Sequence, residues 1–174
     1  MILESVFLDE EGINRALTRI THEIREKNNN IEKVVFIGIN QKGYVLAKRI
    51  SNITKSFNNT EILVGMLDIK FYNGNLLKIK PNIGFDVNNK VVVLIDDVFL
   101  SGRTASAAIS MIFYYWCPSN IQIGVLIDGG HREYPILPNF VGKNIPTSKR
   151  LKISVELQEI DEISCVKLLE DINS

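Results

Sequence analysis

Cysteine and histidine are scarce in this sequence of 174 residues, with two of each. Cys117 and Cys165 lie far apart and neither belongs to a metal-ligand spacing, which argues against a structural zinc site. They read as reduced thiols of a cytoplasmic protein. Long apolar runs are lacking too. Stretches such as 91–95 fall far short of the ~20 apolar residues that a membrane-spanning helix needs, so no membrane partner is expected. The first residues show no basic start followed by an apolar stretch, so no secretory signal is expected. Charge of one sign is absent as well: 20 Lys and Arg balance 20 Asp and Glu. No global field draws a nucleic acid, and any such surface must be a local basic patch.

What is present is an ordinary globular balance, 45% hydrophobic and 23% charged. The length suits a single domain over 1–174, since domains run ~100–200 residues. No repeat, low-complexity tract or dividing linker interrupts it.

Asp9 is placed to cap a helix running to about Lys27, with Ile13, Ala16, Leu17, Ile20 and Ile24 at helical spacing. A short strand is expected over 34–37, a turn over 38–43 and a helix ending near Asn58 and Asn59. Residues 62–69 read as the next strand. The stretch 73–89, rich in Asn and holding Gly74, Pro81 and Gly84, reads as a functional or mobile loop. Residues 91–95 form a continuous apolar run, as in a strand buried on both faces. A loop over 101–104, a helix to Trp116 and a strand over 121–127 follow. Residues 129–146 are expected to be mostly loop, 153–157 a last strand and 160–169 a final helix. Alternating strands and helices predict an α/β fold, a mainly parallel sheet with helices on both faces.

The most informative segment is Val91-Val92-Val93-Leu94-Ile95-Asp96-Asp97, followed by Val98-Phe99-Leu100-Ser101-Gly102-Arg103-Thr104-Ala105. It reads as a buried strand, two acids, a small-residue loop and a helix start. Ligands of open parallel sheets bind at the carboxyl ends of strands. The loop offers backbone N–H groups and a helix N-terminus, which suit a phosphate. Gly102 permits close approach, and Ser101 and Thr104 add hydroxyls. The glycine spacings of a P-loop and of a dinucleotide fingerprint are both absent. Paired acids suit vicinal ribose hydroxyls, with Ser101-Gly102-Arg103-Thr104 on the phosphate of the same sugar. The plainer alternative is that Asp96 and Asp97 end a strand and cap a helix.

This segment resembles the ribose-phosphate signature of type I phosphoribosyltransferases. The stretches 8–23 and 38–49, together with Gly130-His131-Arg132-Glu133 and the run Phe140 to Ser148, extend the resemblance over nearly the whole chain. They narrow it to the PyrR family of bifunctional pyrimidine-operon attenuators and uracil phosphoribosyltransferases. The resemblance implies a type I phosphoribosyltransferase fold with a small hood, here expected over about 129–150, and a flexible loop over about 72–89. It implies that uracil and 5-phosphoribosyl-1-pyrophosphate (PRPP) yield UMP and pyrophosphate with magnesium. It also implies binding of pyrimidine-operon leader RNA when UMP is bound, and assembly into dimers or higher homo-oligomers.

Residue by residue, the resemblance places Asp96 and Asp97 on the ribose, and Asn40, Gln41, Lys42 and Gly43 at the leaving pyrophosphate. Asp68 is expected either to act through water on the metal or simply to end a strand. On the first helix Arg15, Thr18, Arg19 and His22 recur at i, i+3, i+4 and i+7 and share one face. The resemblance assigns Thr18, Arg19, His22, His131, Arg132 and Lys143 to RNA; a solvated face or a dimer contact is the alternative.

Four departures from the family pattern stand out. Gln41-Lys42 replaces a Thr-Arg pair, and Asn73-Gly74-Asn75 replaces charge after Tyr72. Gly129 replaces an Arg, and Leu137 replaces a base. The first three predict slow turnover, and Leu137 argues against RNA binding. Leu100 stands where purine-specific relatives carry an acid, which favours a pyrimidine. Three readings follow: an active uracil enzyme, an RNA attenuator whose pocket senses nucleotide, or a type I relative with another base or with little activity.

Overall fold

Residues 2–69, 81–146 and 151–171 are described by the computed structural model. Tyr72, Asn73, Gly74, Asn75, Thr147 and Ser148 lie outside them.

Strands β2 (Val34–Ile39), β3 (Val64–Leu67), β4 (Val91–Phe99), β5 (Asn120–Asp128) and β6 (Phe140–Asn144) form one sheet in the order β3-β2-β4-β5-β6. Every neighbouring pair in it is parallel. Helices α1 (Glu10–Lys27) and α2 (Asn40–Asn58) cover one face and α3 (Arg103–Tyr115) the other. Alternation along β2 explains how both faces are filled. Val34 and Phe36 join the core under α1 and α2, while Val35, Ile37 and Ile39 join the core under α3. The apolar stripe of α1 is buried at Ile13, Ala16, Leu17, Ile20 and Ile24, and Asp9 caps that helix by accepting from the Gly12 N–H at 2.8 Å.

A second, antiparallel sheet has the order β1-β8-β7, from β1 (Ile2–Leu8), β7 (Leu151–Glu156) and β8 (Cys165–Asp171). Its Val155 and Val166, with Leu157, pack into the α1/α2 core. Of the hood expected over about 129–150, the described residues 129–146 hold β6 and the irregular stretch before it.

Several expectations are corrected. The final helix over 160–169 is absent: α4 (Gln158–Asp161) is a single turn, Glu162 adopts φ 68°, and β8 follows. Strand pairing wins there because Lys167 is held between Glu4 at 2.7 Å and Glu156 at 2.9 Å on the two flanking strands. Strand β1 was not anticipated, because its partner lies at the other end of the chain. Strand β6 extends the parallel sheet where loop was expected. No turn spans 38–43: β2 runs to Ile39 and α2 begins at Asn40, whose φ is 55°. The acids lie inside β4, which continues to Phe99, and α3 starts at Arg103, two residues early. Of the loop expected over about 72–89, residues 81–89 are anchored. Ile83 and Val87 are buried beneath the α3 face, and the Cys117 N–H donates to Asn88 Oδ1 at 2.7 Å.

Candidate active site

The strand order locates the site. From β2 the chain moves outward to β3, whereas from β4 it moves the opposite way to β5. The crevice between the carboxyl ends of β2 and β4 is therefore a topological switch point, where parallel sheets bind ligands. The start of α2 at Asn40 to Gly43 borders it on one side and the loop from Leu100 to Thr104 on the other.

Asp96 is buried at 9% exposure and Asp97 is half-buried. The Asp97 N–H donates to Asp96 Oδ1 at 3.0 Å. Burial first, and the neighbouring Asp97 charge second, push the Asp96 carboxyl well above the usual carboxylate range. A ligand donating hydroxyl protons or carrying cations would relieve that cost. The sign for stability follows. With its folded pKa raised, Asp96 favours the folded state when protonated. That stability is fully present below about pH 4 and is lost as pH rises through the raised folded value. Urea unfolding of the ligand-free protein should show stability falling across that window, and Asp96→Asn should remove that slope. An unchanged slope in the variant would place the titration on another group.

The loop is built for an anion. Gly102 has φ 86° and stands as the cap of α3, which carries no side-chain cap. A helix start whose cap residue offers no side chain to its N–H groups favours negative charge. Ser101 turns inward to the loop, its Oγ accepting from the Arg103 N–H at 3.3 Å and its carbonyl accepting from Glu133 and Tyr134 N–H groups at 3.0 and 3.1 Å. Arg103 faces outward: its guanidinium grips Glu133 at 2.8 Å and lies over the Tyr134 ring. Thr104 is exposed.

Opposite, Asn40 Oδ1 accepts from the Ile69 N–H at 2.9 Å, which ties the residue after Asp68 to the start of α2. Asp68 is half-buried there. Gly43 lies so near β4 that a Cβ on it would sit 2.3 Å from the Ile95 carbonyl oxygen. Lys42 does not extend into the crevice alone; its ammonium donates to the Val155 carbonyl of β7 and pairs with Asp161 at 3.5 Å. Gln41 is exposed.

Sequence reasoning passed over Asp128. It ends β5, is 4% exposed, pairs with Arg132 at 2.5 Å and accepts from the Gly130 N–H at 2.9 Å. Asp128 thus shapes the turn that carries His131 and Arg132. Its signal was available: an acid closing an apolar strand beside two glycines, as at Asp96.

The residues assigned to RNA divide into two places. Arg15, Arg19, Gly142 and Lys143 line one cavity of about 220 Å³. Arg19 donates to the carbonyls of Val141, at 2.8 Å, and Gly142, while also pairing with Glu23 at 3.5 Å. Thr18 spends its hydroxyl proton on the Asn14 carbonyl at 2.8 Å. His22 rests on Phe57, ring centroids 4.8 Å apart. His131 and Arg132 belong instead to the turn after β5.

Sequence and fold both match known proteins. The sequence pattern of the phosphoribosyl transferase domain covers residues 6–160. A hypoxanthine phosphoribosyltransferase from Staphylococcus aureus superposes with a TM-score of 0.73 at 18% identity, over 93% of this chain and 90% of that one. A hypoxanthine-guanine phosphoribosyltransferase from Bacillus anthracis str. 'Ames Ancestor' gives 0.75 at 18% identity, over 97% and 99%. At that identity the likeness is one of fold, and the class, a phosphoribosyl transferase, is shown by the domain pattern over residues 6–160. The sequence is closer to a particular group. It is 42% identical over 177 residues to the "Bifunctional protein PyrR" of Clostridium novyi (strain NT), covering 98% of this chain and 99% of that protein. It is 46% identical over 176 residues to the protein of that name from Clostridium kluyveri, again over 98% and 99%. The chain belongs to the PyrR family.

Proposed function

We propose that this protein transfers the phosphoribosyl group of PRPP to uracil, giving UMP and pyrophosphate, and that it binds pyrimidine-operon leader RNA in response to UMP. The observation that carries the first half is the acid pair towards the carboxyl end of β4, Asp96 buried and Asp97 half-buried, followed by the Gly102-capped start of α3 at the topological switch point. Asp96 and Asp97 would accept from the ribose hydroxyls. Ser101, Gly102, Arg103 and Thr104 would hold the 5-phosphate through backbone N–H groups and hydroxyls.

In the reaction the bond from the anomeric carbon to pyrophosphate breaks, a bond to N1 of uracil forms, and the N1 proton leaves. Positive charge builds on the sugar and negative charge on the leaving group, so positioning and charge stabilisation dominate. Lys42, with the backbone of Asn40, Gln41 and Gly43, faces the leaving group in this reading. It must exchange Val155 and Asp161 for pyrophosphate oxygens to do so. Magnesium keeps mostly water and phosphate oxygens as ligands. Among the described residues no three His, Cys, Asp or Glu gather to hold a metal, which suits an ion carried on PRPP, with Asp68 acting through water. Magnesium would neutralise the pyrophosphate as it departs.

We take the chain to act as one domain, because the small sheet shares a core with α1 and α2. No helix among the described residues is long and apolar enough to cross a membrane. A cytoplasmic homodimer or larger homo-oligomer fits the reading. The decisive assay is UMP formation from uracil and PRPP with and without magnesium. Turnover of another base, or none, would overturn the enzyme half.

The RNA half rests on the cavity between α1 and β6, where Arg15, Arg19 and Lys143 converge although net charge is zero. Phosphate contacts release counterions, so binding should weaken as salt rises. Arg19→Ala with Lys143→Ala should cut affinity for pyrimidine-leader RNA at least ~10-fold, on the scale of charged hydrogen bonds, and leave UMP affinity unchanged. Filter binding at two salt concentrations, with and without UMP, decides it. Equal binding to a scrambled RNA would remove the attenuator role.

A further inference from the structure

The face of α1 that carries Arg15 and Arg19 does not end with them. His22 follows Arg19 by three residues, and Arg25 and Glu26 follow His22 at i+3 and i+4, so all five share one side of the helix. From Arg15 to Glu26 that face runs about 16 Å, at ~1.5 Å of rise per residue. Another cavity, of about 280 Å³, opens at its far end and is lined by His22, Arg25, Glu26 and Ile31. Ile31 gives it an apolar wall, half-buried against the α1/α2 core. His22 is exposed, and its ring is steadied by Phe57 of α2.

The charges of this wall are uncommitted. Among the described residues Arg15 pairs with Glu11 and Arg19 with Glu23, but the side chains of Arg25 and Glu26 enter no ion pair or hydrogen bond. The volume falls short of the ~300–1,000 Å³ of pockets that enclose a whole small ligand. It suits one planar ring system on a chain that is held elsewhere. An ionised carboxylate accepts only, through two oxygens side by side, and a guanidinium donates only, through a planar fork. Together they call for a flat group with two adjacent N–H donors and two neighbouring acceptors. Of the four RNA bases guanine alone offers both, with N1–H and the 2-amino group on one edge and O6 and N7 on the other.

We propose that this cavity is a subsite for one unpaired guanine of a bound RNA, with Glu26 accepting from N1–H and the 2-amino group and Arg25 donating to O6 and N7. The inference rests on the RNA half of the function proposed above. The cations of the cavity at Arg15, Arg19 and Lys143 hold the backbone, and a base further along the strand turns into this one. Unpaired bases of RNA are read in this way, by their edges and by stacking on rings such as that of His22. Backbone contacts fix position without sequence; Arg25 and Glu26 add the sequence.

The test is fluorescence anisotropy, with UMP present, on labelled single-stranded RNA dodecamers of uridine. One is all uridine, one carries a single central guanosine, and one carries inosine there, which lacks the 2-amino group. The proteins are the wild type, Glu26→Gln and Arg25→Lys. The wild type should prefer the guanosine strand to the uridine strand by ~5-fold or more, and inosine should lose part of that preference. Glu26→Gln should erase the difference between guanosine and inosine. It should also tighten binding of the all-uridine strand, because a negative charge beside the phosphates is gone. Charge alone would tighten every strand equally, so the guanosine preference separates base reading from electrostatics. Arg25→Lys keeps the charge and loses the fork, so the guanosine preference should fall while the uridine strand binds as before. UMP affinity and thermal unfolding should not move in either variant, since neither side chain has a partner to lose. A wild type that binds pyrimidine-leader RNA yet treats guanosine and uridine strands alike would overturn the subsite. So would a wild-type guanosine preference in either variant. If the wild type binds neither leader RNA nor any dodecamer, the RNA reading itself fails and the subsite with it.

Discussion

A protein carrying both Asp96→Asn and Asp97→Asn should give no measurable heat when titrated with PRPP or UMP, while unfolding as cooperatively as the wild type. Each carboxylate would accept a hydroxyl hydrogen bond with charge assistance, and such bonds contribute roughly 1.5–3 kcal/mol apiece. Losing two weakens binding ~100-fold to ~10,000-fold, at tenfold per 1.4 kcal/mol. The fold should survive because burial already disfavours the charge on Asp96. Asparagine also keeps an oxygen for the Asp97 N–H that now donates to Asp96 Oδ1. Wild-type affinity in the double variant would refute the assignment of this pair to the sugar.

A large loss of stability should come from Gly43→Ala. The new methyl would meet the Ile95 carbonyl oxygen at 2.3 Å. That neighbour is backbone in the middle of the parallel sheet, so no rotamer change relieves the clash. Overpacking costs ~1–3 kcal/mol and occasionally more. A rigid backbone neighbour puts this case near ~3 kcal/mol, or ~6–12 °C in Tm for a domain of this size. Gly130→Ala is the control: nothing lies within 4 Å of its added Cβ, and only its φ of 78° opposes the change. Thermal unfolding of the two variants separates steric from conformational cost. If Gly43→Ala proves no worse than the control, α2 does not seat on β4 as tightly as the geometry requires. Ligand binding should fall with it, since Ile95 immediately precedes the acid pair.

The site was legible in the sequence where its logic is local. An apolar run, two acids, small residues and a helix follow one another directly in chain order, and β4, the loop and α3 appear nearly as read. The small sheet was illegible because its pairing is not local. Leu8 pairs with Val166, and Lys167 finds its carboxylates on Glu4 and Glu156; no window of neighbouring residues contains that arrangement. Leu168 and Leu169, side by side, satisfied a helical pattern equally well, and tertiary pairing decided against it. Lys42 and Arg19 teach a related lesson. The resemblance placed Lys42 at the pyrophosphate and Arg19 on RNA, yet one is engaged by β7 and the other by carbonyls of β6. Long basic side chains find distant partners that their own segment does not disclose.

The pairing of β1 with β8 also governs how the protein is born. Synthesis runs from the amino end, so β1 leaves the ribosome long before its partner β8 is made. At about 5–20 residues per second the wait is on the order of 10–30 seconds. During it the parallel sheet from β2 to β6 has all its strands available, while β1 offers an unpaired edge with Val6 and Phe7 exposed even in the finished protein. Such an edge is a template for the wrong neighbour, including the β1 of another nascent chain on the same message. Joining the ends by circular permutation, so that β8 precedes β1 by a short loop, would turn the slowest contact of the fold into one of the quickest.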